Sequence, residues 1–382
     1  MKRILITSTD VMMIQFLVPH ILHLKQHGFC VDIACSSAAG YQGENYLEKI
    51  KKILGDDSDV SFVRTERNPL SFRNYLGYKD LAAIINRRNY DLIWTNEPVM
   101  SVMTRLAARK TRKKNHTKLL YLVHGFHFFK GAPKINWIVY PIEKFMARYC
   151  DAMTMINWED YHFTQKHFGN VPVYHIDGIG LDVTKFSKIQ IDTNRKRLEL
   201  GFTADDILLL SVGELQYRKN HAVVIRALAE LKNPNVKYII CGCGALKDYL
   251  LDLAEKLGVK KQLYLLGHRY DIAEILKTVD IFVHPSIREG LGIAAIEAMS
   301  AGLPIITSNV QGIVDYSKND LTGYCLDPND VQGFTNALKT VINNKELRTK
   351  MGHYNIEASK KYDINNSCVQ VESIINDILV KS

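Results

Sequence analysis

Two carboxylates eight residues apart, Glu289 and Glu297, stand in the segment REGLGIAAIEAMSAGLP, and every residue between them is small or apolar. On one continuous helix, eight steps of 100° would leave the two side chains about 80° apart, so they would not stack. The segment reads better when broken at its glycines. An apolar strand, residues 281–284, ends at Pro285-Ser286; a loop then carries Glu289 and Gly290; a helix starts near Leu291–Gly292 and holds Glu297 in its interior. Gly290 and Gly292 remove Cβ atoms and let a ligand approach the backbone. The amides of Leu291, Gly292 and Ile293 then lack intrahelical partners and form a ready anion site. Carboxylates on either side would accept hydrogen bonds from neutral hydroxyls. An anion flanked by hydroxyls suggests a diphosphate with a sugar on one side and a ribose on the other. The plainer alternative has Glu289 capping the helix and Glu297 in solvent, and spacing alone leaves it open.

A second stretch, SVGELQYRKNH, runs from an apolar strand through Gly213 into a loop bearing Arg218 and Lys219. Two adjacent cations at a strand's carboxyl end can neutralise a diphosphate, and charge-assisted bonds contribute about 1.5–3 kcal/mol each. An exposed basic loop is the alternative. In CGCGALKDYL, Gly242 and Gly244 lie between a strand and a helix, but the third glycine of a dinucleotide fingerprint is missing. In LLGHRYDI, Gly267-His268-Arg269-Tyr270 ends another strand and offers polar groups to a base. In LVHGFHFFKG, His124 ends a strand beside a glycine, where it either projects towards a ligand or is satisfied locally.

These loops need strands and helices to hold them. The chain has 382 residues, 47% apolar and 23% charged, enough for two globular domains. Short apolar runs alternate with helical patterns throughout. Runs at 4–7, 31–35, 92–95, 119–123 and 152–156 read as strands of a first half, and 207–212, 237–241, 263–266, 281–284 and 304–307 as those of a second. Such alternation implies an α/β protein with two doubly wound, Rossmann-like parallel-sheet domains facing across a cleft. The expected boundaries are 1–183, 184–365, and a terminal helix 366–382 crossing back onto the first domain.

The net charge of +9 favours anionic partners without selecting one. The basic run RLAARKTRKKNHTK, residues 105–118, reads as the solvated end of a helix plus a loop, or as contact with an anionic membrane surface. No nucleic-acid motif accompanies it, so nucleic acid is not an expected partner. No apolar run is long enough to span a bilayer, and the amino terminus reads as the first strand of a cytoplasmic protein. Of the seven scattered cysteines, Cys30, Cys35, Cys150 and Cys325 lie in or beside apolar segments and read as reduced core residues, while Cys241-x-Cys243 lacks the second Cys/His pair that a zinc site needs. Asp57-Ser58-Asp59 reads as a solvated turn rather than a metal motif.

Taken together and in this order, the motifs resemble the retaining glycosyltransferases of family 4, which have the GT-B fold. Glu289-x7-Glu297 is similar to that family's E-x7-E motif, AMSAGLPII to its continuation, GELQYRKNH to its diphosphate loop, and HIDGIGLDVTKF to its interdomain segment. YPIEKFMARYCDAM and INWEDY resemble the members that build capsular polysaccharide or exopolysaccharide. The resemblance implies transfer of a sugar from a nucleotide diphosphate, UDP above all, to a glycan acceptor that is lipid-linked, at the inner face of a bacterial membrane. It makes 1–183 the acceptor domain and 184–365 the donor domain. It puts Glu289 and His124 by the donor sugar, Glu297 on the ribose, and Lys219, Arg218 and the helix front on the diphosphate. Gly213, Gly242 and Arg269 complete the donor side. No metal or other cofactor is implied. Three positions depart from the pattern: Glu214 where an arginine is common, Asp177 where asparagine is, and a first loop, TSTDVMMIQF, without glycines. A sugar-nucleotide epimerase or phosphorylase of the same fold, and a non-enzymatic polysaccharide-assembly partner, remain alternatives.

Overall fold

The structure is a computed structural model and describes residues 1–36, 50–55, 58–169 and 171–380. Asp57, one half of the acidic turn, falls outside them. The chain divides into two units: residues 1–180 with 364–382, and residues 181–363.

The first unit is built on a parallel sheet of β1 (Arg3–Ser8), β2 (Cys30–Cys35), β3 (Val60–Phe62), β4 (Leu92–Asn96), β5 (Lys118–Val123), β6 (Ala152–Met155) and β7 (Val173–His175), in the order β3-β2-β1-β4-β5-β6-β7. The second holds β8 (Ile207–Val212), β9 (Val236–Cys241), β10 (Leu263–Gly267), β11 (Ile281–His284), β12 (Ile305–Ser308) and β13 (Gly323–Leu326), in the order β10-β9-β8-β11-β12-β13. In each sheet the strand order therefore reverses once, between β1 and β4 and between β8 and β11. Ligands of open parallel sheets bind outside the carboxyl ends of the strands at such reversals. β2, β4, β11 and β12 are buried at every residue, as expected of strands covered on both faces.

The ten strands read from the sequence are present within a residue or two. The short edge strands β3, β7 and β13 are not visible in it, because three or four half-buried residues carry no long apolar run. The first helix spans Val11–Gln26, starting five residues before the helical pattern that the sequence carries at 16–27, with Pro19 inside it. The basic run does not behave as one solvated stretch. Arg105 is fully buried on the inner face of the helix Pro98–Ala107 and pairs with buried Glu143 at 2.9 Å. Arg112 donates to the Asp151 carboxylate at 2.5 Å and to the Tyr149 carbonyl at 2.5 Å.

The terminal helix Ile364–Val380 belongs to the first unit and lies against its first helix. His20 contacts Ser367 at 3.0 Å, and Glu372 accepts from His23 at 2.7 Å and His27 at 2.6 Å. Gln370 exchanges two bonds of 3.1 Å with Asp177. At Gly180, a Cβ would lie 2.6 Å from the Ile364 backbone, so only glycine lets the chain cross there.

Candidate active site

In the second unit, the loops after β8 and β11 meet at the reversal of the sheet. The β8 loop turns at Gly213 and passes through a short 3-10 turn, Tyr217–Lys219. The β11 loop leads to the helix Ile293–Ser300. The two loops are joined by backbone, through the Ile287 amide donating to the Arg218 carbonyl at 2.8 Å. They are joined by charge through Lys219 Nζ, 2.5 Å from Glu289 Oε2. Arg218 lies 3.7 Å from the same oxygen and donates to Glu214 at 2.8 Å. The acid that replaces the usual arginine is thus held by a neighbouring cation.

Burial by itself would raise the Glu289 carboxyl. The His284 ring and the Lys219 ammonium beside it overcome that and hold it well below the usual carboxylate range. Its own amide donates to Gln311 Oε1 at 3.1 Å, and Ser286 Oγ lies 3.4 Å from Oε2. Glu289 does not cap the helix; it faces the cation loop.

The helix front is open. The amides of Leu291, Gly292 and Ile293 have no hydrogen-bond partner among the described residues. Gly292 has φ 85°, and a Cβ there would sit 2.8 Å from both His284 Nε2 and the Tyr316 hydroxyl. Those two buried polar atoms are themselves without a hydrogen-bond partner among the described residues. Half-buried Arg288 adds a third cation, its guanidinium weakened by burial and by the Arg218 charge. Arg218, Lys219 and Arg288 thus face two carboxylates, Glu214 and Glu289, with free amides alongside. A small anion would complete the balance.

Glu297 is half-buried on the same helix, and its carboxylate has no partner among the described residues. Burial raises it from 4.5 to about 7, with Lys185 opposing. The native state therefore holds this proton more tightly than the unfolded chain, and stability falls as pH rises from about 4.5 to about 7. Glu297→Gln cannot ionise. It is expected to melt at least about 2–4 °C above the parent at pH 8, for roughly 1 kcal/mol recovered, and to match it near pH 5. Melting curves across that range check this; equal melting at pH 8 would refute a strained carboxylate.

Gly213 and Gly242 allow a tight crossing of the β8 and β9 loops, where a Cβ on Gly242 would lie 1.9 Å from the Gly213 carbonyl oxygen. Arg269 is elsewhere on this edge. It forms a two-pronged pair with Asp271 at 2.8 and 2.6 Å, and Asp271 also binds Lys196. No hydrogen bond or ion pair ties Arg269 to the Lys219–Glu289 group.

In the first unit, His124 follows β5, and its Nε2 lies 3.1 Å from Asn96 Oδ1 at the end of β4. Burial lowers its pKa, with Glu97 opposing, which favours the neutral ring. Glu97 itself sits at φ 62° and accepts from Ser8 Oγ at 2.8 Å and the Thr9 amide at 2.6 Å. Its carboxylate occupies the donors of the glycine-free first loop.

Glu289, Lys219, Arg218, Gly213, Gly242 and the helix amides, all expected from sequence, lie on adjoining loops of the second unit, and Glu297 lies in the helix that follows. Arg288, His284, Gln311, Tyr316 and Glu97 were not expected. His284 could have been found, since it ends a strand as His124 does. Gln311 and Tyr316 arrive from the segment after β12 and give no local signal.

Two family models match the chain: Glycosyl transferases group 1 over residues 192–358 and Glycosyl transferase 4-like over residues 5–157. EpsD of Bacillus subtilis (strain 168), a protein assigned to the glycosyltransferases, is 33% identical over 359 residues, which is 92% of this chain and 90% of EpsD. The chain belongs to the family 4 type of glycosyltransferases. The UDP-Gal:alpha-D-GlcNAc-diphosphoundecaprenol alpha-1,3-galactosyltransferase of Escherichia coli is 29% identical to this glycosyltransferase, covering 87% of it and 93% of the relative. HepE of Anabaena, solved with UDP and glucose, superposes with a TM-score of 0.81 at 19% identity, over 99% of this chain and 100% of HepE. That likeness shows the GT-B fold. Among its described residues, this glycosyltransferase has no helix long and apolar enough to cross a membrane.

Proposed function

We propose that this glycosyltransferase moves a sugar from a UDP-sugar to a lipid-linked glycan acceptor at the inner face of a bacterial membrane, in capsular or exopolysaccharide assembly. In this reading the configuration at the anomeric carbon is kept. One observation carries it: Lys219, bonded to Glu289 at 2.5 Å, stands beside Arg218 and a helix front with unpartnered amides, at the reversal of the donor-side sheet. An ammonium has three N–H donors, so Lys219 can keep Glu289 while donating to a phosphate oxygen.

The bond from the anomeric carbon to the diphosphate breaks, and the acceptor oxygen bonds to the same face. The acceptor's hydroxyl proton passes to the departing diphosphate. Lys219, Arg218 and the amides hold the charge that grows on that leaving group, which is where fixed donors act most strongly. Glu289 takes hydroxyls of the sugar and Glu297 those of the ribose. Gly213 and Gly242 let the diphosphate lie against backbone, Arg269 borders the base, and His124 meets the transferred sugar. These fixed charges do the work, so the reading assigns no metal or other cofactor. The Escherichia coli relative, named for a UDP-linked sugar and a diphosphoundecaprenol acceptor, supports the donor and acceptor class.

A melting-temperature panel of uridine, guanosine, adenosine and thymidine diphosphates and their sugars tests the donor. A ligand at one hundred times its dissociation constant stabilises by about 2.7 kcal/mol. Uridine compounds are expected to raise the melting temperature above all others. A panel in which none did, or in which another base did better, would overturn the UDP assignment.

A further inference from the structure

We propose that residues 134–148 are an interfacial anchor that lays this protein on an anionic lipid bilayer by inserting apolar side chains between a rim of cations. The segment comprises a 3-10 turn, Lys134–Val139, and the helix Tyr140–Ala147. Five large apolar residues in this short stretch face water: Ile135 (67% exposed), Trp137 (37%), Ile138 (61%), Ile142 (51%) and Phe145 (49%). A folded surface scatters such residues singly; a cluster of them marks a partner. The helix is anchored from beneath by buried Glu143, Met146 and Ala147, so its outward face is unpartnered by construction.

The charges decide which partner. Residues 105–150 contain eleven Lys and Arg and a single acid, Glu143. The fold buries that acid against Arg105, and Arg112 takes Asp151, which leaves nine cations without an ion pair among the described residues. Lys134, Lys144 and Arg148 flank the apolar side chains and are exposed, with the Arg148 guanidinium 3.9 Å from the Phe145 ring centre. The basic helix Arg109–Asn115 adjoins them: Arg109 lies 5.0 Å from the Tyr149 ring centre, and Arg112 binds the Tyr149 carbonyl. An aliphatic and tryptophan centre flanked by Lys134, Lys144 and Arg148 matches the acyl boundary and headgroups of an anionic bilayer. A protein partner would have to bring both acids and an apolar groove, and nucleic acid would leave the isoleucines in water. This deepens the reading in which the acceptor is lipid-linked, and it is tested apart from it.

The test is co-sedimentation with phosphatidylcholine vesicles with and without phosphatidylglycerol. The parent is expected to bind only the anionic vesicles. Each Lys or Arg near such a surface strengthens binding about fivefold, so Lys144→Glu with Arg148→Glu should weaken it more than tenfold. Ile138→Glu with Phe145→Glu should do the same while leaving the basic helix intact. Bromine-labelled lipid should quench fluorescence in the parent, and this quenching should fall in Trp137→Phe. A parent indifferent to anionic vesicles at low salt would overturn the proposal. So would an Ile138→Glu, Phe145→Glu variant that binds like the parent, since binding would then be electrostatic alone. Self-association of the parent that this variant abolishes, without lipid binding, would also overturn it. Every variant should keep the parent's melting shift with UDP-glucose. Loss of that shift in the parent would count against the donor reading and leave the anchor standing.

Discussion

Lys219→Ala is expected to lower turnover at saturating donor by about 10²–10³-fold, the loss seen when one fixed stabiliser of developing charge is removed, about 2.7–4 kcal/mol. The reason is its position. Its ammonium already meets Glu289 at 2.5 Å on the loop that precedes the open helix front, so it does not have to be recruited when charge develops. Arg218 replaces it only in part, because it stands 3.7 Å from Glu289 and shares its guanidinium with Glu214 at 2.8 Å. Glu289→Gln should also be impaired, and the double variant should lose less than the product of the two, because the pair acts as one unit. Steady-state kinetics with a nucleotide sugar check all three. A loss under threefold for Lys219→Ala would remove it from the leaving-group role.

Gly242→Ala is expected to cost about 3 kcal/mol, at the upper end of overpacking penalties. The new Cβ would lie 1.9 Å from the Gly213 carbonyl oxygen, and that neighbour is backbone, which cannot rotate aside as a side chain can. For a unit of this size the melting temperature should drop by about 6–12 °C. The displaced Gly213 begins the loop that bears Lys219, so the variant's residual folded fraction should also bind donor nucleotide more weakly. Calorimetry and a nucleotide titration separate the two effects. A melting temperature within about 2 °C of the parent would mean that the crossing is less tight than the geometry requires.

Much of this architecture was legible beforehand because parallel strands covered on both faces must be continuously apolar. The runs at β1, β4, β8 and β11 therefore announced themselves, and with them the loops at their carboxyl ends. The glycines of the β8 and β11 loops marked where backbone must come close to something. Glu289 and Lys219 could each be named from its own loop. Their bond could not, because seventy residues separate them and only the strand order brings β8 beside β11.

The edge strands were invisible for a related reason: β3, β7 and β13 are half-exposed, so no apolar pattern was needed to form them. The basic run misled in one respect. Charge composition says nothing about helix face, and the face that Arg105 occupies points into the core towards Glu143. The exposed apolar cluster at 134–148 was equally hidden, since the same isoleucines and phenylalanine would have served as a core.

The sequence alone thus determined the class of fold, the two-domain plan and the loops to which the proposed chemistry is assigned, since local patterning is enough to specify strands, helices and their punctuation. Tertiary structure alone decided which charges meet and which stay free. It paired Lys219 with Glu289 across seventy residues, left Arg288 crowded by a like charge, and left half-buried Glu297 without a partner among the described residues. Those outcomes depend on sheet order and on what each side chain faces, and no window of sequence contains both partners of a long-range contact.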